Sequence, residues 1–442
     1  MRTRPPRGAA FAQCRRSWHP ALLVGAILVF GALFPTHSGS PQPHLRLAQS
    51  DCGFFGAPWG PATAVYDPAR GEIFVADSET NYVYVISDSS NKVVASVLMG
   101  STCVNPFGLA YDPKLGAILV SEIGGDSIVE ISDRTNNVTG TIPVLGGPPM
   151  FIAYDQGQNE VFATDLNFNV SVVSLATNSS VTWMSTIRSM EPFGLTYDPS
   201  TGEIFIVDNN RSGLSAVSDE SYGWSFIPIN CHGTAAPSFE LPVDVAYDPL
   251  NGNLYAACED GGSLSVVSPE NLTQFGTITL PGVINGGPIA IDLVTGTIWV
   301  AALLDNELFA ISGRTGAILA QGPTDGYPGW GIAVDQSSGN VYVPQFKNES
   351  VGVFGPDAQR IAEIPLVNSS APTRFSQPAP LPSSLGLLVA AVAAVVVVVV
   401  VVLVNRRGSR QKYDPLGRPL ESPSGTTPET SGVSPTPPRG PG

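Results

Sequence analysis

A phrase built on Tyr66-Asp67-Pro68 and continued by Gly71-Glu72-Ile73-Phe74-Val75-Ala76-Asp77 recurs, with variations, seven times along this chain. Its Asp falls at Asp67, Asp112, Asp155, Asp198, Asp248, Asp292 and Asp335, at successive steps of 45, 43, 43, 50, 44 and 43 residues. A unit repeating at this spacing is one supersecondary element that buries its apolar surface only by stacking on its neighbours. A period of about 40–45 residues is that of a propeller blade.

Four residues after each Asp stands Gly71, Gly116, Gly202, Gly252, Gly296 or Gly339, and in the third copy Asn159. Asn is the residue that best tolerates the left-handed backbone after Gly, so the substitution identifies a turn. An Asp that bonds its own turn and a closing residue at positive φ make a short hairpin loop. Six residues after the Asp the chain is always aliphatic: Ile73, Ile118, Val161, Ile204, Leu254, Ile298 and Val341. The next position is large: Phe74, Leu119, Phe162, Phe205, Tyr255, Trp299 and Tyr342. Strands apolar on both faces must be covered on both sides, which radially stacked sheets achieve. A third strand ends in Ser87, Ser132, Ser218, Ser268 or Ser312. A fourth is expected over Val93 to Val97, Val138 to Val144, Thr277 to Leu280 and Arg360 to Leu366. The chain is thus predicted to be all-β, a seven-bladed propeller of four-stranded antiparallel blades over residues 59–366, with a single C-terminal transmembrane helix.

The segments Pro106-Phe-Gly-Leu-Ala-Tyr-Asp-Pro113, Gly202-Glu-Ile-Phe-Ile-Val-Asp208 and Val170-Ser-Val-Val-Ser174 resemble the YVTN family of β-propeller repeats, found in archaeal surface-layer proteins and related bacterial proteins. No copy reads Tyr-Val-Thr-Asn, and Asp often stands where that family has Asn. The resemblance covers roughly Trp59 to Leu366 and implies a surface-exposed propeller without specifying an activity.

Residues 1–40 read as a signal peptide or an uncleaved N-terminal anchor: five Arg and no acid in the first 16 residues, then 14 apolar residues from Ala21 to Phe34. Residues 41–58 lead into the propeller. After it, residues 367–384 form a Pro- and Ser-rich stalk. Residues 385–404 are 20 residues without a charge, long enough for a transmembrane helix. Arg406, Arg407, Arg410 and Lys412 mark the cytoplasmic side, so residues 405–442 are expected to be a disordered cytoplasmic tail and the propeller extracellular.

Between Asp51 and Ser370 there are 34 acidic against 9 basic residues, a formal charge of −25. A surface this acidic excludes nucleic acid as a partner and attracts cations. The membrane is the expected partner through one span, with other surface proteins or glycans as further candidates. Cys52, Cys103, Cys231 and Cys258 allow three pairings. The expected blade positions favour Cys52 with Cys103 and Cys231 with Cys258. Sequons at Asn137, Asn169, Asn178, Asn210, Asn271, Asn348 and Asn368 all fall between the two apolar segments and suggest glycosylation.

Ten residues after each turn Asp the blades read Asp77, Glu122, Asp165, Asp208, Cys258, Ala302 and Gln345. Four consecutive acids at the ends of second strands suggest a ligand-facing arc at the channel mouth. That arc would take a divalent cation such as Ca²⁺ or a cationic group. The other reading is that each acid caps its own turn. His232, in the longest step, has no recurring His partner, and the phosphate-loop, Gly-x-Ser-x-Gly and His-Glu-x-x-His motifs are missing. These features favour a non-catalytic binding, adhesion or surface-layer-associated protein. A tethered solute sensor and an extracytoplasmic lyase-type enzyme are the alternatives.

Overall fold

The computed structural model describes residues 60–100, 104–184, 191–231, 241–259, 262–283 and 285–366. The chain divides into two units, Met1–Ser369 and Ser370–Gly442, of which the second lies wholly outside the described residues. Within the first, 28 strands form seven four-stranded antiparallel sheets. Blade 1 runs through Pro61–Asp67, Glu72–Asp77, Tyr82–Ser87 and Lys92–Leu98, and its strand order follows the sequence. The other six blades repeat this plan, beginning at Pro106, Pro149, Pro192, Pro242, Ile289 and Ala333. The fourth strand of blade 5 starts earlier than its apolar residues suggested, at Thr273. A bulge between Val266 and Val267 lets its polar start pair with the third strand.

The two-sided apolarity of the second strands now has its cause. Seven hydrophobic clusters lie one at each blade interface. Ile73 and Val75 pack with Tyr342, Val351 and Val353 of blade 7, while Phe74 between them packs with Ile118, Val120 and Val129 of blade 2. Fully burying such a side chain contributes roughly 1.5–3 kcal/mol, so each second strand stabilises two interfaces at once. The fourth strand, at the rim, alternates instead between exposed and partly buried residues. Among the described residues no strand is exchanged between blades 7 and 1. That interface closes through its cluster, the Trp330 N–H donating to Ala62 O at 2.6 Å, and the Tyr342 hydroxyl donating to Asn91 Oδ1 at 2.6 Å.

The recurring Asp is structural in every blade. Its Oδ1 accepts the N–H two residues on, from Ala69, Lys114, Gly157, Ser200, Leu250, Val294 and Ser337, at 2.6 to 2.9 Å. The closing residue has φ between 60° and 74° in all seven copies, Asn159 included. The residue before the Asp has a role that the repeat did not announce. In five blades it is Tyr66, Tyr111, Tyr154, Tyr197 or Tyr247, and each hydroxyl faces the turn Asp of the preceding blade: Asp335, Asp67, Asp112, Asp155 and Asp198. Burial first, and then these carboxylates, push the phenols up, that of Tyr111 to about 12. The Tyr247 hydroxyl donates to Ser200 Oγ of the preceding blade at 3.3 Å, whereas those of Tyr66, Tyr154 and Tyr197 donate within their own blades to Asp88, Asn159 and Asp219.

Candidate functional site

The four acids of the expected arc are brought to equivalent places but not into one ligand shell. Asp77 Oδ1 accepts the N–H groups of Glu79 and Thr80 at 3.0 and 3.2 Å. Asp165 Oδ1 accepts those of Asn167 and Asn169 at 2.8 and 2.9 Å. Asp208 accepts the Arg211 N–H at 3.2 Å and pairs with the Arg211 guanidinium at 3.3 Å. Glu122 Oε2 accepts from the Ser127 hydroxyl at 2.8 Å. Three of the four thus cap the turn between their own second and third strands through backbone N–H groups, and Glu122 spans the same turn through Ser127. Burial pushes the carboxyls of Asp77 and Asp208 up to about 6 and raises those of Glu122 and Asp165. Among the described residues no group of three His, Cys, Asp or Glu side chains is placed to hold a metal ion.

Among the described residues one concave surface lies where the first strands converge on the axis. First strands of blades 1 to 6, with Trp330 and Gly331 from the segment leading into blade 7, line a cavity of about 300 Å³ that includes Thr63, Gly108, Phe151, Leu195, Asp244 and Ile289. None of the four arc acids lines it. The lining runs from Trp330, five residues before its turn Asp, to Tyr247 and Ile291, one residue before theirs. At the Trp330 end an aromatic cluster crosses the axis. The Phe151 ring meets Phe107 edge-on at 5.3 Å, Phe193 at 6.3 Å and Trp330 edge-on at 6.5 Å. Phe151 belongs to blade 3 and Trp330 precedes blade 7, on the far side of a seven-membered ring.

Asp244 is the one charged side chain in this lining. Its Oδ1 accepts the Val245 N–H and its Oδ2 the Ile289 N–H of the next blade, both at 2.9 Å. Burial, only partly offset by these two bonds, pushes its carboxyl up to about 7. Part of its surface stays accessible, and the residue lines the axial cavity. The turn-centred reading passed over Asp244, yet a signal was present. Blades 2 and 4 read Pro-Phe-Gly at Pro106 and Pro192, whereas blade 5 reads Pro242-Val243-Asp244, with a charge where the others have Gly.

Cys231 and Cys258 form a disulfide, with their Cα atoms 5.7 Å apart, joining the segment after blade 4 to the second strand of blade 5. Cys52, Cys103 and His232 lie outside the described residues. Asn137, Asn178, Asn210, Asn271 and Asn348 are exposed. Asn169 is half-buried, its amide donating to Gly146 O at 2.9 Å, and Asn368 lies outside the described residues. Among the described residues no helix is long and apolar enough to cross a membrane. The segments expected to be signal, stalk, span and tail lie beyond them.

No protein-family model matches the chain, and no curated protein matches it in sequence. Solved structures do. Streptogramin B lyase superposes with a TM-score of 0.55 at 15% identity, over 66% of this chain and 93% of that one. Hydrazine synthase of Kuenenia stuttgartiensis superposes with a TM-score of 0.56 at 13% identity, over 73% of this chain and 100% of that one. At these identities the likeness is one of fold, and this chain shares the β-propeller architecture of both.

Proposed function

We propose that this chain is a membrane-tethered, extracytoplasmic propeller of the YVTN-repeat type that works by binding. Residues 1–40 direct export, residues 367–384 lift the propeller from the bilayer, residues 385–404 span it, and residues 405–442 lie in the cytoplasm. The acidic, sequon-bearing surface faces the outside, where other surface proteins or glycans are its partners.

The observation that carries the binding reading is the division of labour among the polar groups. The recurring Asp, Tyr and second-strand acids are engaged within and between blades, while the axial cavity is lined by first strands of six blades and the lead-in to the seventh, and holds a single carboxylate. A ring of blades around an axial cavity is suited to holding a ligand. Protease added to intact cells tests the tether. The propeller should be digested or released while an epitope at Tyr413 stays protected, and cleavage at Tyr413 from outside would reverse the topology.

A further inference from the structure

The axial cavity has a composition that selects one kind of occupant. Its walls are mostly Ala, Val, Leu and Ile with three aromatic rings, Phe151, Tyr247 and Trp330, and its charge is the single carboxylate of Asp244. The ion pairs among the described residues are Arg211 with Asp208, Arg360 with Asp325 and Arg360 with Glu363, so no cationic side chain balances Asp244. A carboxylate facing a recessed space without a counter-charge is unfavourable. It is relieved by a proton or by a cation.

Two classes of cation can be separated by chemistry. A hard divalent ion takes six to eight oxygen ligands. Besides Asp244, the lining side chains offer oxygens only on Thr63, Thr196 and Tyr247, so a divalent ion held there would draw most of its ligands from backbone carbonyls and water around a single carboxylate. An ammonium on an apolar body needs the opposite surroundings: one carboxylate, apolar walls and aromatic faces. Each oxygen of Asp244 accepts one N–H and retains capacity for a second donor.

We propose that the axial cavity binds a small organic monocation with an apolar body, with Asp244 as its counter-ion and the cluster around Phe151 and Trp330 as its end wall. This rests on the reading of the propeller as a binding module, and it is independent of the membrane tether.

The test is calorimetric titration of the purified full-length chain with benzylammonium, benzyl alcohol and benzoate, which share a ring and differ in charge. Benzylammonium binds, and the other two bind about tenfold more weakly or worse. Asp244→Asn removes this preference. Equal binding of benzylammonium and benzyl alcohol overturns the proposal, as does an Asp244→Asn protein that keeps the preference. If the alcohol or benzoate binds best, the binding-module reading stands and the cation assignment falls; if none of the three binds, the cation assignment falls as well. Asp244→Asn could unfold by losing the bond to Ile289, so the wild-type pH profile gives a second readout. Asp244 and Tyr247 are the titratable groups of the lining, and only Asp244 changes charge near neutrality. Benzylammonium affinity therefore rises about tenfold between pH 6 and 8 while benzyl alcohol affinity stays level. A flat benzylammonium profile overturns the proposal.

Discussion

Gly194 lies directly against Asp244: a methyl group on its Cα would stand 2.9 Å from the Asp244 Cα and closer still to a carboxylate oxygen. The first strands of blades 4 and 5 are therefore set at a distance that only Gly allows, and the carboxylate occupies the room so created. Gly194→Ala is expected to destabilise the propeller by about 1–3 kcal/mol through overpacking. Urea unfolding of the two proteins measures it, and an unchanged midpoint would mean that the strands give way freely.

Stability should depend on pH with a definite sign. The carboxyls of Asp77 and Asp208 are raised to about 6 and that of Asp244 to about 7 in the folded protein, against 3.8 as their ordinary value. Between about pH 4 and 7 the folded state then binds more protons than the unfolded chain, so stability falls as pH rises through this window and levels off above it. Asp335 is lowered and works in the opposite sense, losing its contribution only as pH falls below about 4. The melting temperature of wild type should thus be higher at pH 5 than at pH 8. Asp244 alone accounts for about 2–4 kcal/mol of the change. Asp244→Asn should flatten the profile, and a wild-type melting temperature that climbs from pH 5 to 8 would refute the assignment.

Removing a turn Asp breaks several bonds at once. Asp198 is fully buried and accepts the Ser200 N–H at 2.8 Å, the Ser200 hydroxyl at 2.7 Å and the Thr201 hydroxyl at 3.0 Å, while Tyr247 of the next blade faces it. Asp198→Ala should cost about 2–3 kcal/mol, since three hydrogen bonds to one buried carboxylate are lost together. Asp198→Asn should recover part of that loss. Chemical denaturation of both variants checks the order.

The disulfide fixes the segment that follows blade 4. Cys231 and Cys258 are both almost fully buried in the cluster between blades 4 and 5. Cys258→Ser should lower stability by about 2–4 kcal/mol. Nonreducing peptide mapping should find this bridge and, as a proposal, one between Cys52 and Cys103. Any crossed pairing would contradict the placement of Cys231 beside blade 5.

Much of the architecture was legible because it repeats. The turn Asp, its positive-φ partner and the doubly apolar second strand each recur, and periodicity reveals features that every blade needs. Asp244 and Phe151 do not recur. The axis is the one place where seven blades meet and each contributes a different residue, so its chemistry lies in the departures from the pattern. At the second-strand ends the recurrence has a local source. Asp77, Glu122, Asp165 and Asp208 recur because each second strand ends in a turn to be capped, and recurrence there reflects local hydrogen bonding.

The most direct test of whether ligand recognition lies on the axis sets Asp244 against the arc. Benzylammonium is titrated into wild type, Asp244→Asn and the double variant Glu122→Gln/Asp165→Asn, with melting temperature as the readout. The ligand-dependent rise should survive in the double variant and vanish in Asp244→Asn. A rise that persists in Asp244→Asn and disappears in the double variant would place recognition at the second-strand acids and contradict the account.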